Sequence, residues 1–348
     1  MLHSTPEADI YCTMNRSREA RPVEKVLTAP VADCNGGMAQ PKPLPPRLAS
    51  RPFTYSRALE AGVSVGRLRA GDLISPSRSV RVPKGGSRDL SELCRAYVEL
   101  IPDAVVSHGT AGLLHGLVLP ERIANERQVH LSRDPAFAVP RRRGVVGHRL
   151  ALEPGEIVRW QGLPVTAPHR TWLDLAGSLA LDDLVVAGDQ LISGPQRQFG
   201  PRRKAMIRQT DLERYIASKP RMGGLVRARQ ALRLIRPGVD SPPETRLRLL
   251  LLRAGLPEFS PNTVIFDETG NPAVWTDLGC RRYRTCIEYE GSHHLSPGQQ
   301  SRDHERDLLT AELGWHQVKI NRFDVSQGRE WVVAKVRHAL EKGGWAAN

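Results

Sequence analysis

The chain has 348 residues, of which 40% are hydrophobic but only 5% aromatic, so its cores must rest on Leu, Val, Ile and Ala, and its length suits two or three domains. Lys and Arg number 50 against 37 Asp and Glu, a formal net charge of +13 that selects an anionic partner, nucleic acid before a membrane surface. No run approaches the ~20 apolar residues of a membrane span, the early Glu7 and Asp9 do not read as a secretion signal, and the scattered cysteines form no CxxC pair. Membrane, disulfide-scaffold and zinc-ribbon classes are thereby excluded, and a reducing cytoplasm is expected.

Residues 1–46 read as a disordered tail, because Pro41-Lys42-Pro43-Leu44-Pro45-Pro46 suits neither a helix nor an inner strand. Over 47–88, Thr54 can cap a helix from Tyr55 to Ala61, and a second helix is expected from Ser64 to Ala70. Leu73 to Pro83 then reads as two short strands around a turn. Helix, helix, ribbon is the order of a small winged helix-turn-helix, although any small helical hairpin gives the same signal. Its Arg67, Arg69, Arg78 and Arg81 are candidate contacts to nucleic acid.

Over 89–193 the pattern predicts helices at Asp89 to Leu100, His108 to His115, Trp172 to Leu179 and Asp182 to Leu191. Strands are expected at Gln128 to Leu131, Gly144 to His148 and Ile157 to Trp160, giving an α+β domain. Residues 194–240 read as a basic linker with short helices (Thr210 to Ser218, Leu225 to Ile235), and Arg202, Arg203 and Lys204 are further candidate nucleic-acid contacts.

From Ser241 to Trp345 the signals are denser. Ser241, Pro242 and Glu244 form the start of a helix, with Glu244 as the acid of a capping box, and Gly255 stops it. After a strand from Asn262 to Asp267, Ala273 to Gly279 and Arg284 to Glu290 flank Cys280-Arg281-Arg282-Tyr283 as a hairpin. A turn centred on Arg282-Tyr283 sets Asp277 opposite Glu288, and alternation puts Glu290 on the face of Glu288.

Opposed Cβ atoms lie ~5 Å apart, and two like charges at that distance repel by about 3 kcal/mol at an effective dielectric of about 20. The acids therefore need a cation or a basic partner. Mg²⁺ is the natural ion for carboxylates, with Mn²⁺ as its substitute, while Arg284 and Arg281 are the candidate basic partners. A helix from Gln299 to Leu313, a strand from Trp315 to Ile320 and a helix from Arg329 to Glu341 complete an α/β arrangement with a mixed sheet.

The segment Cys286-Ile287-Glu288-Tyr289-Glu290-Gly291-Ser292-His293-His294 resembles the very-short-patch-repair endonuclease-like proteins, which have the restriction-endonuclease fold. Matching positions are Glu244, Asp277, Glu288, Glu290, Gly291, His294, Arg302, Asp303, Arg306, Asp307, Gly314 and Trp315. The resemblance implies Mg²⁺-dependent phosphodiester hydrolysis, most naturally of DNA. Asp277, Glu288 and the Tyr289 carbonyl would hold the metal, Glu290 or His294 would handle the proton, Glu244 would stand at the helix start, and Arg306 would meet the nucleic acid.

Two departures stand out. Glu290 replaces the usual Asp, and the Lys of related restriction enzymes is missing from that position. The front half, through Ser107-His108-Gly109-Thr110 and Arg170-Thr171 with Asp174-Leu175, is similar to the antitoxins of type IV abortive-infection systems. That similarity implies a second reading: an antitoxin-like transcriptional regulator whose nuclease fold is inactive, with a toxin protein or a second copy of the chain as partner.

Overall fold

The computed structural model describes residues 41–87, 89–194, 204–291 and 297–347. These form two units, one ending at Leu175 and the other beginning at Ala176. The division falls inside the stretch read from sequence as one α+β domain. Among the described residues no helix is long and apolar enough to cross a membrane.

The first unit begins earlier than the tail reading allows. Pro46–Ala49 is a short helix, α1, and Leu44 packs with Leu48 and Phe53. Residues 1–40 lie outside the described residues. Strand β1 (Phe53–Thr54) leads into α2 (Tyr55–Glu60), where the Thr54 hydroxyl accepts from the Arg57 amide as a cap.

The helix expected over Ser64 to Ala70 is only a 3₁₀ turn, Arg67–Arg69. Gly66 and Gly71 lower helix propensity on both sides, and the Ser64 hydroxyl accepts from the Arg67 amide to close one tight turn. The second helix of a helix-turn-helix is therefore a single turn. The ribbon forms as expected, β2 (Leu73–Ser77) with β3 (Val80–Pro83), and β1 joins it as a third strand.

Next come α3 (Leu90–Leu100), β4 (Val105–Val106), α4 (His108–Leu114), α5 (Glu121–Ala124), β5 (Val129–Arg133) and β6 (Val145–Arg149). Strands β7 (Ile157–Trp160) and β8 (Leu163–Thr166) and helix α6 (Pro168–Leu175) follow. The α6 helix starts four residues before the expected Trp172 because Pro168 suits a first helical position. The strands form one sheet in the order β6-β5-β4-β8-β7, with β5–β6 and β4–β8 parallel and the remaining pairs antiparallel. Its core joins Cys94 and Tyr97 of α3 to Val106, Leu131 and Val165.

The second unit opens with α7 (Leu181–Ile192), α8 (Gln209–Ser218) and α9 (Leu225–Leu234). Leu212, Ile216, Ala228 and Ala231 are buried, so the described part of the expected linker is a folded helical pair. Helix α10 (Pro242–Arg253) ends where expected, before Gly255 at φ +71°. Strands β9 (Ser260–Phe266), β10 (Pro272–Cys280) and β11 (Thr285–Glu290) are followed by α11 (Pro297–Glu312) and β12 (His316–Asn321). A short helix that sequence did not suggest, α12 (Arg322–Ser326), precedes α13 (Arg329–Lys342). The sheet order is β12-β11-β10-β9, antiparallel except for the parallel β11–β12 pair. This is a mixed α/β architecture, with Leu247, Leu251, Ile287, Val318, Ile320 and Val336 in the main core.

Candidate functional site

The β10–β11 hairpin places the acids. Its turn is a 3₁₀ turn over Arg281–Tyr283, and Arg284 takes a left-handed conformation that closes it. Leu278 pairs with Ile287, Gly279 with Cys286 and Cys280 with Thr285, the register expected from sequence, and the pairing ends one position short of Asp277 and Glu288. The ladder stops there. The Thr276 hydroxyl donates to the Leu278 carbonyl, and the Asp277 carboxylate accepts from the Tyr289 amide at 2.6 Å. A side chain thus supplies the next cross-strand link and holds Asp277 against the Tyr289 backbone.

Asp277 and Glu288 are buried and Glu290 is exposed. Ile287 lies in the main core while Cys286 belongs to a second cluster with Ile265, Val274 and Trp315. Glu288 and Glu290 alternate onto the Cys286 side. Burial pushes the Cys286 thiol up to about 12, and Glu288 adds to the rise, in keeping with its place in a packed cluster.

The cations that face the acids are not the expected ones. Arg284 sits at the hairpin turn, and Arg281 lies over the Phe266 ring. Arg306 approaches Glu288 at 3.7 Å, and Lys319 lies 3.5 Å from Glu290 and 2.5 Å from Asp307. Lys319 is the direct partner of Glu288 in the parallel β11–β12 register. Burial draws its ammonium pKa down, but the Asp307 hydrogen bond and the Asp307 and Glu290 charges outweigh this and raise it. Lys319 is therefore held protonated. The acid-bearing strand carries no lysine for this site; Lys319 comes from its neighbour, whose register is not legible in the local sequence.

Other expected residues fall as follows. Glu244 is buried, and its carboxylate accepts from the Ser241 hydroxyl at 2.7 Å and the Asp240 amide at 3.0 Å, which ties down the start of α10. Ser241 donates in this arrangement and does not cap an amide itself. His294 lies outside the described residues, as do Arg202 and Arg203. Lys204, Arg69 and Arg78 are exposed.

Arg67 and Arg81 are committed internally. Arg67 makes a bidentate pair with Asp72 at 2.8 and 2.7 Å and donates to the Lys42 carbonyl. Arg81 donates to the Leu68 carbonyl at 2.7 Å and lies over the Tyr55 ring. Their guanidiniums fasten the ribbon to its neighbours and do not point at a partner.

The Arg170-Thr171 and Asp174-Leu175 pattern is a buried ion network. Arg170 reaches Glu156 and Asp174, each at 2.9 Å, and joins α6 to the segment before β7. In the same unit, sequence reading overlooked a cluster of imidazoles, His108, His130 and His148. His108 and His148 are stacked with ring centroids 3.7 Å apart, and His130 Nδ1 lies 3.0 Å from His148 Nε2.

Two uncharacterized proteins of Mycobacterium tuberculosis, one from each of two strains, are each 26% identical to the chain over 246 residues, 70% of this chain and 83% of theirs. No protein-family model and no solved structure matches the chain.

Proposed function

We propose that the second unit is a restriction-endonuclease-like domain that hydrolyses phosphodiester bonds, with DNA as its most natural substrate. The observation that carries this reading is the pair of buried acids, Asp277 and Glu288, just past the end of the hairpin ladder, with Asp277 tied to the Tyr289 amide and Lys319 on the adjoining strand. Two buried carboxylates on adjacent strands offer the hard oxygen donors that Mg²⁺ prefers, so the residues fit such an ion. When bound, it would supply Lewis-acid polarisation of the phosphate and a more acidic water.

The remaining work falls to the chain's own groups. Lys319, kept protonated by Asp307 and Glu290, places a positive charge where a phosphate oxygen gains negative charge. Glu290, exposed at the end of β11, is positioned to accept a proton from an incoming water. Arg306 balances Glu288 from α11 and is free to exchange that 3.7 Å contact for a phosphate.

The test is cleavage of supercoiled, linear and single-stranded DNA by purified full-length protein with Mg²⁺ or Mn²⁺. Asp277→Asn and Glu288→Gln should each lower the rate by at least ~100-fold, and Lys319→Met by ~100- to 1,000-fold, the scale of losing one electrostatic group. Circular dichroism checks that each variant is folded. Absence of metal-dependent cleavage on every form, together with a promoter-DNA complex indifferent to Asp277→Asn, would favour the antitoxin-like regulator instead.

A further inference from the structure

The first unit holds a cluster of a different chemical character. His108 opens α4, His130 lies in β5 and His148 in β6. In the parallel β5–β6 pair Ser132 is opposite His148, so His130 and His148 project from the same face two residues out of step. One ring nitrogen from each of the three histidines lies within 4.8 Å of the others. None of the three is fully buried, which leaves a path for an ion.

The surroundings orient the rings. Ser132 and Ser107 share a hydrogen bond at 2.6 Å, and the Ser107 hydroxyl lies 3.0 Å from His108 Nδ1, leaving Nε2 of His108 uncommitted to that chain. The Glu126 carboxylate lies 3.0 Å from His130 Nε2. That negative charge stands beside one ring nitrogen of His130, while the other, Nδ1, lies 3.0 Å from His148 Nε2 and faces the cluster.

The backbone is also specialised. His108 holds φ at +50°, a conformation uncommon for a non-glycine residue. Next to His148, a Cβ on Gly147 would lie 2.0 Å from the Pro140 carbonyl oxygen, so only glycine lets this part of β6 sit where it does.

We propose that His108, His130 and His148 form a site for a zinc-class divalent transition-metal ion, with the fourth position left to water. Three imidazoles suit Zn²⁺, Ni²⁺ or Cu²⁺ and are poor ligands for Mg²⁺. Three protein ligands with one open position is the pattern of reactive rather than purely structural zinc sites. The nearby Arg170 guanidinium does not oppose the ion strongly, because Glu156 and Asp174 already neutralise it at 2.9 Å each. The ion would clamp the start of α4 to β5 and β6, and it would be chemically distinct from the one proposed at Asp277 and Glu288.

The test uses full-length protein carrying Asp277→Asn and Glu288→Gln, so that the acidic pair cannot contribute. Titration with Co²⁺ should give the visible d–d bands of nitrogen-ligated cobalt, saturating at one ion per chain and displaced by Zn²⁺ but not by excess Mg²⁺. His130→Gln and His148→Gln should each abolish the bands. No stoichiometric binding, or binding unchanged in both histidine variants, overturns the proposal. Should a variant fail to fold, the wild-type chain decides. Zn²⁺ must then protect all three histidines from diethyl pyrocarbonate in a peptide-resolved mass measurement, and equal modification with and without Zn²⁺ overturns it.

Discussion

Burial pushes the Asp174 carboxyl up to about 6; Arg170 draws it down, and Glu156 adds to the rise. An unfolded Asp ionises near ~3.9, so the folded chain holds this proton more tightly. The stability it gives is full below the unfolded value and is lost as pH rises through about 6. Thermal melts from about pH 4 to pH 7 should therefore show Asp174→Asn gaining stability relative to the wild-type chain as pH rises. An unchanged slope in that variant would disprove the assignment. Legibility differs sharply at this scale. The hairpin register that carries Asp277, Glu288 and Glu290 could be read from sequence because alternation and a short turn fix local neighbours. Lys319 could not, since its pairing with Glu288 depends on the register set by the α11 crossover. The three histidines lie at unrelated spacings, and only the packing of α4 beside β5 and β6 gathers them. Glu244 was half legible: its place at the helix start was right, but its carboxylate takes the Ser241 hydroxyl instead of completing a reciprocal box.

Elements with a strong period were legible, and those held by tertiary contacts were not. The α10 helix has an N-terminal proline and a C-terminal glycine, and both ends match expectation. The turn at Arg67–Arg69 does not become a helix, because local glycines and the Arg67–Asp72 pair outweigh its capping serine. The grouping of α7 with α10 could not be read at all. It runs through Asp189, which accepts from Arg248 and from the Thr245 hydroxyl, each at 2.8 Å, and from the Arg236 amide at 2.6 Å. Both members of the Asp189–Arg248 pair are almost fully buried. Breaking such a pair strands a buried charge, so Asp189→Ala should cost ~3–5 kcal/mol in denaturant melts. Replacing both residues by apolar ones of similar volume should cost much less. If the single and double variants melt alike, the two helices are not joined through this pair.

Charge acts on the whole molecule. On the proposed reading, a net +13 makes DNA binding salt-sensitive, with a slope that reports how many phosphates are neutralised. Arg69 and Arg78 are exposed, whereas Arg67 and Arg81 are spent internally. Arg69→Ala and Arg78→Ala should each reduce the slope of log affinity against log salt by about 1, while Arg67→Ala should leave it unchanged. Equal slopes for all three variants would move the interface elsewhere on the chain. The division after Leu175 has a further consequence, for synthesis. Among the described residues, every strand of the first two sheets precedes Leu175 and every strand of the third follows it. The leading unit can therefore close its hydrogen-bond ladders while the nascent chain is still growing, before the first residues of α7 have left the ribosome, and no sheet edge has to wait for a partner from the far end of the polypeptide.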